Sequence, residues 1–212
     1  MTQVWIASHI HTWSRYEWLK ESIISIKNQS MPAKLVLSWS KEHFITEDIE
    51  EFLIELDMDY LVKFHPTRQR QFDHIRYISE HVTDGTYIFF CDDDDYYHPD
   101  RIKTILSCGD SEAFVDRSII IDSNSNIIYP DGIADFANYV VRLDVCKNII
   151  NTIEWDKMSD NSYKTADVLF TAMLNSYKVK NINRNLYYRR QDLFDSSYNR
   201  AWDKDIDFKF IQ

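Results

Sequence analysis

Four consecutive carboxylates, Asp92, Asp93, Asp94 and Asp95, follow directly on the apolar run Tyr87-Ile88-Phe89-Phe90-Cys91. Side chains so close repel one another, and their ionised forms coexist only where something positive gathers them. A divalent cation meets that need. A few hard carboxylate oxygens suit Mg²⁺ or Mn²⁺, with positions left open for substrate phosphates. An acidic run in a polar tail reads as a solvated face. This one lies between a strand-like segment and a helix start, and open α/β sheets bind ligands just beyond the carboxyl ends of their strands.

Spacing excludes two other metal chemistries. An EF-hand loop counted from Asp92 needs glycine at its sixth position, where Tyr97 stands. A phosphatase of the haloacid-dehalogenase type wants Thr or Val two places after its second acid, where this chain has Tyr96 or Tyr97.

The whole string, an apolar strand, Asp-x-Asp, a short aromatic stretch and then His98-Pro99-Asp100-Arg101 leading into a helix, resembles the corresponding region of family 2 glycosyltransferases with the GT-A fold. The short chain is also similar to the single-domain glycosyltransferases encoded by large algal viruses. The resemblance covers roughly residues 3–192 and implies a three-layer α/β/α sandwich around a central mixed, mostly parallel sheet. It implies an inverting transfer of sugar from a nucleotide-diphosphate donor, a UDP-sugar by preference, to an acceptor hydroxyl of a glycan, glycoprotein or glycolipid. Asp92 and Asp94 would hold Mn²⁺ or Mg²⁺, and Asp93 would bond the ribose or sugar hydroxyls.

Further residues take roles from the same resemblance. The stretch Ser8-His9-Ile10-His11-Thr12-Trp13 corresponds to the loop that holds the nucleotide base, with Arg15 at a position where the motif carries arginine. His9 and His11 lack the Cys or carboxylate partners of a zinc site and read as loop or base-contacting groups. The second strand ends in Ser38-Trp39-Ser40, where the family carries an Asp pair; Trp39 is expected either to stack on a base or to pack in the core. Arg76 corresponds to an arginine near the sugar nucleotide, or else pairs with Asp73 or Glu80 on its own helix. Asp167, at the start of an apolar helix, matches the family's general base, with a plain helix-capping or dipole role as the alternative. Asp160 and Glu154 are the substitutes. Arg189 and Arg190 could neutralise a diphosphate, but alternation along a strand lets only one of them face it.

Periodicity supplies the elements that must position these groups. Strands are expected at residues 3–8, 33–40, 60–64 and 87–91, alternating with helices at 14–27, after Thr46, and after Arg70 with Phe72, Ile75 and Val82 inward. Ser14 with Glu17 reads as a capping box. A helix follows from Pro99 to about Cys108. Strands at 113–122 and 127–129 then suggest a sheet that turns mixed, with a loop over 130–138, a short strand at 139–143 and a closing strand at 185–191. One catalytic domain over 1–212 is expected: a nucleotide-binding half to about 108, an acceptor-side half to about 192, and a tail or flap over 193–212.

Composition bounds the alternatives. At 212 residues, 44% hydrophobic, with three glycines and four prolines, the chain can bury a sizeable core and has no linker-like segment. A formal charge of −10 argues against a nucleic-acid partner, because phosphate contacts need a basic patch. Three cysteines, Cys91, Cys108 and Cys146, form no CxxC pair or framework, which suits a reducing cytoplasm, that of the host if the chain is viral. Neither a leader nor a membrane-spanning run is expected. A phosphatase or nucleotidyltransferase, and a non-catalytic sugar-nucleotide or glycan-binding module, stay open beside the glycosyltransferase reading.

Overall fold

The computed structural model describes residues 2–46, 48–129, 134–159 and 165–191. Its centre is a nine-stranded sheet. The first half is β1 (Gln3–Ile10), α1 (Trp13–Lys27), β2 (Lys34–Lys41), α2 (Ile49–Glu55), β3 (Tyr60–His65), α3 (Gln71–His81) and β4 (Tyr87–Cys91). The second half is β5 (Tyr96–Tyr97), α4 (Arg101–Leu106), β6 (Ala113–Ile121), β7 (Ile127–Tyr129), β8 (Tyr139–Arg142), α5 (Leu143–Thr152), α6 (Ala166–Leu174) and β9 (Val179–Arg190).

Strand order is β3-β2-β1-β4-β8-β6-β9-β5, with β7 paired to β6. The β3-β2-β1-β4 block is parallel throughout, as βαβ crossovers dictate. β8 then enters antiparallel between β4 and β6, and β6 pairs β9 in parallel. The α/β class and the mixed, mostly parallel sheet are as expected.

Alternation along the strands sorts the core into two layers. Val4, Ile6 and Ile10 of β1 face one side with Leu19 and Ile23 of α1 and Leu53 of α2. Trp5 of β1 faces the other with Phe72 and Ile75 of α3, Ile149 of α5 and Phe170 of α6. Ile6 is wholly buried, so truncating it to alanine should cost about 2–5 kcal/mol in lost transfer energy and cavity.

Several boundaries differ from the sequence reading. β1 continues to Ile10 because its backbone pairs with β2 as far as Lys41, so His9 is a strand residue and the loop is short. Helix α1 is capped by Thr12, whose side chain accepts from the Arg15 N–H, and the capping box at Ser14 does not form. Asp48, in place of Thr46, caps α2 by accepting from Glu50 N. Helix α5 begins where the short strand was extended to residue 143; its apolar residues Val145, Cys146, Ile149 and Ile150 are buried at helical spacing, a pattern that could have been read. The two-residue β5 is held by pairing with Tyr187 and Tyr188, which no local pattern announces. The 193–212 tail, Glu47, Gly132 and Asp160 lie outside the described residues. No helix among the described residues is long and apolar enough to cross a membrane.

Candidate functional site

The tip of β4 is where the two faces of the sheet separate. Cys91 faces the α1 side with Phe89, so the next residue, Asp92, leans toward α3 and Asp93 back toward α1. Gln71, the first residue of α3, donates from Nε2 to Asp92 Oδ1 at 3.0 Å. On the other side, Asp93 accepts from Ser8 Oγ and from Arg15 Nη1. The same guanidinium reaches Asp94 Oδ2 with Nη2 at 3.1 Å. Ser8 and Arg15 therefore do meet the acidic run, but through its carboxylates.

The fourth acid has a different part. Asp95 is 3% exposed and accepts at 2.6 Å from the backbone N–H of Arg190 at the end of β9. The Asp92 N–H donates to the Tyr187 hydroxyl at 3.0 Å. These two bonds clamp the acidic turn to β9 and fix its direction.

Charge follows from burial. Desolvation first, then the fields of Asp135, Asp94 and Asp93, pushes the Asp92 carboxyl well above the ordinary range, with Arg189 opposing. Asp94 is pushed up to about 6 by burial, against the pull of Arg15. Asp167, second residue of α6, is also raised, mainly by burial and further by Asp135, while Arg189 lowers it. Asp92 and Asp167 thus lie within the electrostatic reach of the same two groups.

Those groups are an ion pair, Arg189 Nη1 to Asp135 Oδ2. Asp135 caps a 3-10 turn, Phe136–Asn138, by accepting from Ala137 N at 3.2 Å. The sequence reading placed it in an undifferentiated loop; its Asp-x-x-Asn capping pattern was the available signal. Gln71 was missed because nothing local marks it. Of the paired arginines, Arg189 faces the site, while Arg190 lies over the Trp18 ring at 5.0 Å and bonds Glu21, as strand alternation requires.

The remaining expected residues sit elsewhere. Trp39 is 1% exposed, with its ring 5.1 Å from Phe64, so neither of its faces is open to a base; the packing alternative is the one realised. Arg76 lies 5.6 Å over the Trp155 ring and pairs with neither Asp73 nor Glu80. Glu154 is engaged with Lys157 at 2.6 Å. His9 does not join the acidic turn; it bonds Ser40 Oγ at 2.9 Å and Glu42 at 3.3 Å on the α3 side of the sheet.

Among the described residues, no group of three or more His, Cys, Asp or Glu side chains converges as a metal-binding cluster. Among the described residues, the pair that the sequence reading assigned to a cation is Asp92 and Asp94. That donor set fits a hard divalent ion that takes its other ligands from phosphate and water, because a cation would relieve the burial and mutual repulsion that raise both carboxyls, as they also raise Asp95.

No protein-family model matches the chain, and no curated protein sequence does. Solved structures do. S. aureus TarS superposes with a TM-score of 0.66 at 13% identity, over 90% of this chain and 37% of that one. TarS 1–349 in complex with UDP-GlcNAc gives 0.59 at 13% identity, over 90% of this chain and 59% of that one. HddC from Yersinia pseudotuberculosis gives 0.55 at 15% identity, over 88% of this chain and 92% of that one. The chain therefore spans 37% of TarS and about 60% of TarS 1–349, less than two thirds of either. Identities this low establish fold alone, a GT-A-like α/β fold.

Proposed function

We propose that this GT-A-like chain is a glycosyltransferase that moves a sugar from a nucleotide-diphosphate donor, UDP-sugar by preference, to an acceptor hydroxyl in glycan biosynthesis. The observation that carries it is the shared surroundings of Asp92 and Asp167: two partly buried carboxyls on different elements, each with its pKa raised by desolvation and each within reach of Asp135 and Arg189 beyond the carboxyl end of β4. Such a pair separates a leaving-group side from a base side. That TarS was solved with UDP-GlcNAc and with UDP supports the donor class.

In this reading the donor diphosphate lies at Asp92–Asp94, with Mn²⁺ or Mg²⁺ held by Asp92 and Asp94 supplying charge neutralisation on the departing phosphates. Arg15 anchors Asp93 and Asp94 from the α1 side, and Gln71 orients Asp92 from the α3 side. Asp167 accepts the proton of the acceptor hydroxyl as its oxygen bonds the anomeric carbon. The bond from that carbon to the diphosphate oxygen breaks, and the electron pair leaves with the diphosphate. One displacement inverts the anomeric centre. The nucleotide is served by the half up to about residue 108 and the acceptor by the half beyond it, in a cytoplasmic setting.

A nucleotidyltransferase is the second reading, favoured by the near full-length match to HddC and to the inositol-1-phosphate CTP transferase from T. maritima, 88% of whose chain is covered. A triphosphate is commonly cradled by the backbone of a glycine-rich loop. Here the β1–α1 connection is His11-Thr12, without glycine, which supports the glycosyl reading.

Thermal shift with UDP, GDP, dTDP and CDP, each with and without Mn²⁺, tests the donor class through the coupling of binding to stability. Mass spectrometry of products from UDP-sugars tests the reaction. Metal-dependent stabilisation together with release of UDP is expected. Stabilisation by CTP with pyrophosphate release would support the second reading instead.

A further inference from the structure

On the α3 side of the sheet, a row of side chains in register crosses the carboxyl ends of three parallel strands: His9 opposes Ser40, and Ser40 opposes His65. They form one continuous chain of hydrogen bonds. His65 Nε2 meets Ser38 Oγ at 2.9 Å, and Ser38 Oγ meets His74 Nδ1 at 2.9 Å. His74 Nε2 meets Ser40 Oγ at 3.4 Å, Ser40 Oγ meets His9 Nδ1 at 2.9 Å, and His9 Nε2 meets Glu42 Oε1 at 3.3 Å. The centre of the chain is sealed: His74 is 1% exposed and Ser38 and Ser40 are fully buried.

The direction of this chain is decided at one end. A neutral imidazole has one N–H and one lone pair, and a hydroxyl has one proton to give. Burial depresses His9, His65 and His74, the last to about 3, which favours the neutral form of each ring; at His9 the neighbouring Glu42 opposes the shift without reversing it. A carboxylate only accepts, so Glu42 takes the His9 Nε2 proton, which leaves His9 Nδ1 to accept from Ser40. Ser40 in turn accepts from His74 Nε2, His74 Nδ1 accepts from Ser38, and Ser38 accepts from His65 Nε2. Every proton points toward Glu42. The far end, His65 Nδ1, is thereby a lone pair, and it has no hydrogen-bond partner among the described residues.

We infer that this relay reads the nucleobase of the donor, presenting His65 Nδ1 as an acceptor that selects keto bases over amino bases. Uracil, thymine and guanine carry a ring N–H at the edge where cytosine and adenine carry a bare ring nitrogen, so the latter would set lone pair against lone pair. The placement rests on the proposed function: with the diphosphate at the tip of β4 and Asp135, Asp167 and Arg189 on the β8–β9 side, the nucleoside extends over the tips of β1, β2 and β3. Glu42 then acts as a positioning residue, five hydrogen bonds from His65 and so six from the base.

Replacing Glu42 by Gln frees the direction, because a carboxamide can donate to His9 Nε2 and reverse every bond up to His65 Nδ1, which becomes a donor. The experiment is calorimetric titration of UDP, CDP and N3-methyl-UDP into the wild type and Glu42→Gln, with ¹⁵N-imidazole spectra of both. The wild type should bind UDP at least about tenfold more tightly than CDP or N3-methyl-UDP, the discrimination expected of one mispaired polar edge. Glu42→Gln should bring the UDP-to-CDP ratio close to one, chiefly by tightening CDP. The spectra should show His9, His65 and His74 as Nε2–H tautomers in the wild type. Equal binding of UDP and CDP, a ratio unmoved by Glu42→Gln, or an Nδ1–H tautomer at His65 overturns the relay and leaves the nucleotide reading standing. If neither UDP nor CDP binds at all, the functional reading beneath it fails too.

Discussion

Arg101 and Asp116 form a fully buried, two-pronged ion pair, Nε to Oδ2 at 2.8 Å and Nη2 to Oδ1 at 3.1 Å, with both side chains at 0% exposure. The pair governs the site from behind. Arg101 also donates to the Phe90 carbonyl at 3.3 Å, two residues before Asp92, and to the Ala137 carbonyl at 2.9 Å, two residues after Asp135. The Tyr97 and Tyr187 rings sandwich it at 4.2 and 4.7 Å. Arg101→Met leaves Asp116 buried without its cation and should cost about 3–5 kcal/mol in urea unfolding, while Arg101→Met/Asp116→Leu recovers most of that loss. A single-mutant cost below about 1 kcal/mol would mean the pair behaves like a surface bridge.

Asp92 is expected to trade stability for binding. Burial and three neighbouring acids make its ionised form costly, so Asp92→Asn should raise the melting temperature of the free protein by a few degrees. The same variant should lose the Mn²⁺-dependent shift produced by UDP. A variant that melts lower, yet still responds to metal and UDP, contradicts both the strain and the assigned role.

Asp167→Asn should cut turnover by about a hundredfold or more, the usual contribution of a general base, and leave donor affinity nearly unchanged. The base must be ionised to work, and burial raises its folded pKa. Activity should therefore fall on acidification through an inflection above the ordinary 3.8 of an aspartate. The pH profile of kcat/KM checks this, and an inflection at or below the ordinary value would assign the limb to another group.

His74 makes stability depend on pH with a definite sign. Burial lowers it from 6.5 to about 3, so on acidification the unfolded chain takes up a proton that the folded chain refuses. Its contribution is present above about pH 6.5 and is lost below, at up to about 1.4 kcal/mol per unit, until the folded value is reached. Urea unfolding at about pH 7.5 and about pH 5.5 should show a steeper decline for the wild type than for His74→Asn. Parallel declines would place the titrating group elsewhere.

The sequence by itself determined the elements whose causes are local. The run from Tyr87 to Cys91 is apolar for the length of one buried strand, and β4 has those limits. Alternating apolar segments over the first hundred residues produced the parallel block, and the acids that follow β4 do lie at its carboxyl tip. Alternation even specified that only one of Arg189 and Arg190 could face the site. The tertiary structure decided which side chains meet. Arg15 reaches Asp93 because Cys91 and Asp92 divide between the two faces of the sheet, and Trp39 is sealed because β3 and Phe64 close over it. Asp135 joins Asp92 and Asp167 only because β8 enters the sheet antiparallel beside β4 and carries the capped turn with it. Contacts of that kind depend on the packing of segments far apart in the chain, and no window of neighbouring residues contains them.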